Sequence, residues 1–228
     1  MHIVLVRCAL ERVYALDGWE ETELGEERDS RKRRALVAAQ LVIAVFVAAG
    51  AAWLIFKLVG YWQGQQIYRE IEQAYATIED GDSIDFDALR GQYPGVVAWI
   101  AMDDVNISYP IVQGDDNEHY LHYDPSGAEN VDGSIFLDCR NKSLDTDLYA
   151  LIYGHNMRDE SMFGQLDEYV SEEFYENGSD AFTIYTPNGT YRYQIFAASI
   201  VDPSDDVYTA GFTNTQVFDA FVKNLKEN

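Results

Sequence analysis

The chain has 228 residues, with 16 Lys and Arg against 39 Asp and Glu and 47% hydrophobic residues, enough for one ordinary domain with appendages. Its charge is lopsided: up to Gly60 basic and acidic residues number eight each, whereas from Tyr61 onward eight basic residues face 31 acidic ones. A surface of that sign repels nucleic acid and anionic headgroups, so neither is a partner for this part, and its content of Tyr, Phe, Ile, Val and Leu excludes a disordered acidic tail.

Met1 to Ser30 is polar and without periodicity, and reads as unstructured or weakly helical. Ala35 to Val59 is the one long apolar run, broken only by Gln40 and Lys57, and at about 25 residues it is long enough to cross a bilayer with some tilt. Arg31-Lys32-Arg33-Arg34 precedes it and the other flank is acidic, which puts the N-terminus in the cytoplasm and everything after Tyr61 outside. Trp53, Tyr61 and Trp62 suit the outer interface, and Lys57 can snorkel to it. A cleaved signal peptide has a shorter apolar core and no long polar segment in front, so the run reads as an uncleaved anchor. Cys8 and Cys139 then lie on opposite sides of the membrane and cannot pair within one chain.

Beyond the anchor, Ile67, Ile71, Tyr75 and Ile78 form a helical stripe that ends before Glu79-Asp80-Gly81-Asp82. Phe86 to Tyr93 is a second short helical turn, stopped by Pro94-Gly95. Strands are then expected at Val96–Ile100, Ile107–Gln113, Gly133–Leu137, Leu148–Tyr153, Ala181–Thr186 and Thr190–Ser199, the last two joined by Pro187-Asn188-Gly189 with its hairpin dipeptide Asn-Gly. Helices are expected from Met162 to Glu173 and from Thr215 to Leu225. Many short strands and few helices point to a mainly β fold, a barrel or sandwich with peripheral helices.

The most informative stretch is Leu151-Ile152-Tyr153-Gly154-His155-Asn156-Met157, where an apolar run stops at a glycine and the next residue is a histidine. A buried strand delivers one titratable group to its rim in this way, and histidine is the side chain that serves as acid and base near neutral pH. His119 and His122, with Asp115, Asp116 and Asp124 nearby, lack a third matched ligand and read as surface groups, so no metal is expected. Nothing in the chain calls for a cofactor.

Taken in order, the N-terminal anchor and helical pair, Val97-Ala98-Trp99-Ile100, Ile107 to Gly114, Asp116-Asn117-Glu118-His119-Tyr120-Leu121, Gly133 to Asp138, Tyr153-Gly154-His155-Asn156-Met157 and Met162-Phe163-Gly164 resemble a class B sortase, a membrane-anchored cysteine transpeptidase of Gram-positive bacteria. The resemblance runs from about Tyr61 to Asn228 and keeps order and spacing throughout. It implies a sortase-like β-barrel, preceded by an N-terminal helical pair and a transmembrane helix. The corresponding division is 1–34 cytoplasmic, 35–59 transmembrane, 60–94 extracytoplasmic helices and 95–228 a partial barrel, incomplete at its C-terminal strands.

The resemblance also implies the chemistry. A cysteine attacks the threonyl carbonyl of an Asn-Pro-x-Thr-Asn-like sorting signal, and an amine of cell wall or pilin resolves the thioester. The partners implied are a sorting-signal-bearing surface protein, that amine, and membrane lipid around the anchor. His155 maps onto the catalytic acid/base, and Asn117, Leu121 and Tyr153 onto positions near the substrate groove. The implied nucleophile and arginine follow the helix at Thr215–Leu225, whereas the sequence stops at Asn228, has no cysteine after His155 and has its last arginine at Arg192. The chain thus reads as a class B sortase cut before those residues, and two functions stand open: a transpeptidase, or an inactive remnant that serves at most as a membrane-anchored binding protein. Cys139 as a substitute nucleophile, and Arg140 or Arg158 as oxyanion partners, are the weaker expectations, because a lone cysteine is more often buried and inert.

Overall fold

A computed structural model describes residues 3–77, 83–171, 173–174, 181–202, 205–212 and 214–227. The chain divides into two compact units, Met1–Lys57 and Leu58–Asn228. Helix α1 (Ile3–Tyr75) makes up the described part of the first unit and the beginning of the second. It takes in the polar N-terminal segment as well as the apolar run, so helix extends well beyond what periodicity alone suggests. In the first unit Val45, Phe46, Ile55 and Phe56 are exposed, the two phenylalanines by 74% each. Side chains of that kind have no protein to bury against, and this helix is long and apolar enough to cross a membrane.

In the second unit the end of α1 carries the predicted stripe, with Ile71 buried and Ile67 and Tyr75 partly buried against the core, and Tyr68, outside the stripe, is buried as well. The break expected at Glu79-Asp80-Gly81-Asp82, and Ile78 with it, lies outside the described residues. A two-stranded antiparallel pair, β1 (Ala76–Thr77) and β2 (Ser83–Ile84), leads to α2 (Phe86–Gln92). Asp85 caps α2, its carboxylate accepting from the Ala88 N–H at 3.0 Å.

The body of the unit is one six-stranded sheet in the order β6-β5-β4-β3-β7-β8. Its strands are β3 (Val96–Met102), β4 (Ile107–Gln113), β5 (Ile135–Leu137), β6 (Ile152–Tyr153), β7 (Ala181–Thr186) and β8 (Gly189–Gln194). All neighbours are antiparallel except β4 and β5, which run parallel. A final helix, α3, spans Thr215–Glu227.

Alternation along the strands sorts the core into two layers. Ala98, Ile100 and Met102 of β3, with Ile107, Tyr109 and Ile111 of β4 and Ile135 and Leu137 of β5, face one side together with Met162, Tyr169 and Ile184. Trp99, Ala101, Val112, Phe136 and Tyr185 face the other, where Ile71 of α1 and Leu89 of α2 cover them. Val96 joins this second layer although its parity is wrong, because a bulge between Val96 and Ala98 shifts the register by one residue.

Three expectations need correction. Leu148–Tyr153 shrinks to the two residues of β6, since the backbone of Leu148 to Leu151 is held by irregular bonds such as Asp138 N–H to the Leu151 carbonyl at 2.9 Å. Thr190–Ser199 becomes Gly189–Gln194, and the hairpin loop is Pro187-Asn188, closed by Thr186 opposite Gly189. Asn188 is not among the residues with positive φ, so the turn is led by Pro187 rather than by Asn-Gly. The helix expected over Met162–Glu173 is a 3-10 helix over Gly164–Val170, because Met162 sits at φ 53° and bridges Asn156 instead of starting a helix.

Trp99 is fully buried, and its indole N–H donates to the Ser108 hydroxyl at 3.2 Å. Replacing it by alanine is expected to cost about 3–5 kcal/mol, measured by urea unfolding; a loss under about 1 kcal/mol would contradict the packing described.

Candidate active site

The site is built on the hairpin of β5 and β6 and on the segment that crosses from β4 to β5. Parallel neighbours cannot be joined by a tight turn, so residues 114–134 must travel the length of the sheet. This crossover opens with an Asx turn: the Asp116 carboxylate accepts from the N–H groups of Glu118 and His119 at 2.9 and 2.8 Å. Those bonds hold the Asp116 carboxyl below its usual range. A single 3-10 turn, His119–Leu121, follows. The crossover ends at Gly133, which has φ 55° and where a Cβ would stand 2.7 Å from the Tyr120 and Leu121 carbonyl oxygens; only glycine fits.

The same loop docks α1. The Gln65 side chain donates to Asp132 at 2.7 Å, Asn130 donates to the Gly64 carbonyl at 3.2 Å, and the Tyr68 hydroxyl donates to the Gly133 carbonyl. Asp132 is fully buried with one oxygen unpartnered among the described residues, and burial pushes its carboxyl pKa up.

His155 lies one residue beyond β6. The preceding Gly154 is demanded by contact, since a Cβ there would run into Ile135 and lie 2.7 Å from the Phe163 ring. The His155 carbonyl accepts from Phe163 N–H at 3.0 Å, and its Nε2 lies 2.8 Å from the Leu121 carbonyl oxygen. A carbonyl only accepts, so Nε2 carries the hydrogen, and in the neutral ring Nδ1 is the atom that can take a proton.

Asn117 and Tyr153 meet at the other end of the hairpin, on the residue that follows the expected strand Gly133–Leu137. Asp138 is fully buried. Its Oδ2 accepts from Asn117 Nδ2 at 2.9 Å, from the Tyr153 hydroxyl at 2.8 Å and from the Arg140 guanidinium at 2.7 Å. Its Oδ1 accepts from Arg140 Nε and from the Arg140 backbone N–H, each at 2.8 Å. The Asn117 side-chain oxygen accepts from Cys139 N–H at 2.8 Å. The guanidinium, followed by the other donors, holds the Asp138 carboxyl well below the usual range against the opposing effect of burial. Burial, and then Asp138 itself, push the Tyr153 phenol up to about 12.

The four predicted residues therefore form two pairs: Asn117 with Tyr153 through Asp138, and Leu121 with His155 directly. Leu121 contributes its backbone, while its side chain packs on the layer around Trp99. The signal for Asp138 was an acidic residue directly after the wholly apolar Ile135-Phe136-Leu137, which invites a search for its donors.

Cys139 does not reach the histidine. Phe136 pairs with Tyr153, so continuing the register sets His155 opposite Ser134. Cys139 lies in the turn after Leu137, which pairs with Ile152, so it and His155 are beyond opposite ends of the hairpin. Beside Ile152 and Phe163 an apolar cavity of about 610 Å³ opens, lined also by Ile100, Met102, Phe182 and Ile195. Among the described residues no group of His, Cys, Asp and Glu could hold a metal ion.

A family model for the sortase domain matches residues 100–223. Sortase B of Staphylococcus aureus is 25% identical over 200 residues, covering 86% of this chain and 82% of that protein. Sortase B of Listeria monocytogenes is 34% identical over 134 residues, covering 58% of this chain and 53% of that protein. Among solved structures, sortase B of Bacillus anthracis superposes with a TM-score of 0.63 at 28% identity, covering 75% of this chain and 81% of that one.

Asp138 was ionised before folding and remains so, with its pKa depressed in the fold, so its contribution to stability is present above about pH 4 and fades as the pH falls through the lower folded value. Asp138→Asn is expected to cost about 2–3 kcal/mol at neutral pH. In thermal melts its deficit against the parent chain should shrink between about pH 4 and pH 2, and a deficit constant with pH would refute the assignment.

Proposed function

The chain belongs to the sortase family, class B, and from that premise we propose that it is a cysteine transpeptidase in which His155 is the acid/base, cleaving a sorting signal after threonine and passing the acyl group to an amine. The observation that carries this reading is the setting of His155: delivered by a strand end, fixed by Gly154, and oriented by the Leu121 carbonyl with Nδ1 left to move a proton. In such a reaction a thiolate attacks the threonyl carbonyl, and the histidine gives its proton to the departing amine. It then takes one from the incoming amine as the thioester is resolved.

We assign Asn117, Leu121 and Tyr153 to the peptide groove along β5 and β6. The partners of this reading are a surface protein bearing an Asn-Pro-x-Thr-Asn-like signal and an amine of cell wall or pilin. Residues 1–34 are assigned to the cytoplasm, 35–59 to a single membrane pass in contact with lipid, 60–94 to extracytoplasmic helices and 95–228 to the catalytic domain. Arg31-Lys32-Arg33-Arg34 on one flank and the acidic composition on the other support that orientation.

A second reading, a membrane-anchored protein that binds the peptide without cleaving it, is supported by the placement of Cys139 beyond the opposite end of the β5–β6 hairpin from His155. The two readings separate in one assay. In the full-length gene product, hydroxylamine-dependent cleavage of an Asn-Pro-Ala-Thr-Asn peptide is expected to fall by about 10²–10⁴-fold in His155→Ala, with thermal stability retained. Full turnover in that variant would overturn the role of His155. Binding of the peptide without cleavage by the parent protein would favour the second reading.

A further inference from the structure

Asn117 and Tyr153 both bond a single oxygen, Oδ2 of Asp138, so they are immediate neighbours, and each has its polarity set by that carboxylate. An ionised carboxylate only accepts, so the Tyr153 hydroxyl must point its hydrogen inward. The Asn117 amide is fixed at both ends: its nitrogen donates to Asp138 and its oxygen accepts from Cys139 N–H, which forbids the flipped rotamer. What remains to meet a ligand is the second Asn117 N–H, which has no acceptor among the described residues, and the Tyr153 oxygen, flanked by the Arg140 guanidinium. Arg140 is itself steered: besides its bonds to Asp138, it donates to the Tyr208 carbonyl at 3.1 Å. This end of the hairpin thus offers two donors, the Asn117 amide and the guanidinium, beside one acceptor, the Tyr153 oxygen.

We propose that Asp138 is the positioning residue of the peptide groove, holding Asn117, Tyr153 and Arg140 so that this end of the groove presents two donors beside one acceptor, a pattern that reads the carbonyl and N–H of an extended peptide. The inference rests on the assignment of Asn117 and Tyr153 to the groove. Asp138 itself, being buried, does not touch the peptide. Its removal frees Asn117 to present its oxygen and Tyr153 to present its hydrogen, which scrambles the pattern without emptying the site.

The test is binding of a fluorescein-labelled Asn-Pro-Ala-Thr-Asn peptide to the full chain by anisotropy, well below the melting temperature of each variant. Asn117→Ala, Tyr153→Phe and Asp138→Asn are each expected to raise Kd about fivefold, whereas Asp138→Asn added to the Asn117→Ala/Tyr153→Phe pair raises it by less than about twofold, the coupling expected of a residue that acts through the others. A purely structural role would lower the melting temperature without that coupling. Parent-like binding by Asp138→Asn, alongside weakened binding by Asn117→Ala, overturns the positioning role and leaves the groove assignment standing. Parent-like binding by the Asn117→Ala/Tyr153→Phe pair overturns the groove assignment and this inference with it. Should Asp138→Asn fail to fold, Arg140→Gln, at a half-exposed side chain, takes its place. A Kd raised about twofold or more with an unchanged melting temperature then supports the inference, and an unchanged Kd refutes it.

Discussion

The site depends on the register of β5, a strand of three residues held between two neighbours that run in opposite senses relative to it. Its parallel bond to β4 demands a long crossover, and that crossover supplies Asn117 and Leu121. Its antiparallel bond to β6 sets Phe136 against Tyr153 and thereby places His155 at one end of the hairpin and Asp138 at the other. A one-residue slip would turn Ile135 and Leu137 away from their layer and separate every pair in the site at once. So short a strand holds its register because all three side chains are buried and because tertiary bonds clamp both of its ends.

Those clamps differ in kind. At the His155 end the fit is steric, made by two glycines where no side chain has room and by one backbone carbonyl. At the Asp138 end the fit is electrostatic, a buried carboxylate surrounded by five donors. Burying an ion is costly unless its lone pairs are satisfied, and here they are, with the compensating cation left half in water. The arrangement keeps the Asn117, Tyr153 and Arg140 side chains rigid, while the apolar layers behind them provide the bulk of the folding free energy.

Much of this was legible in the sequence where a local rule and the tertiary requirement agreed. The run from Ile107 to Gln113 alternates and is flanked by breakers, and it is a strand to the residue. The stripe through Ile67 and Ile71 buries Ile71 as its period demands. Legibility failed where tertiary bonds overruled periodicity. Leu148 to Leu151 has the composition of a strand, yet its backbone is claimed by Asn141 and Asp138, Tyr149 and Leu151 being held by the Asn141 side chain and the Asp138 N–H. Met162 looks like the first residue of a helix but lies at positive φ. In the site, His155 stood out because glycine before a titratable residue at a strand end has a local signature. Asp138 showed only as an acidic residue after an apolar run, since its meaning comes from Asn117, Tyr153 and Arg140, which only the crossover and the hairpin bring to it.

Gly133 and Gly154 show what this costs in evolutionary freedom. Every alternative to glycine adds at least one carbon, and at both positions that carbon meets occupied space. Variation in this site must therefore come from side chains along the crossover and not from bending the backbone beneath the histidine. Descendants of this scaffold can vary the crossover one residue at a time, but the two places where the frame touches itself are closed to that drift.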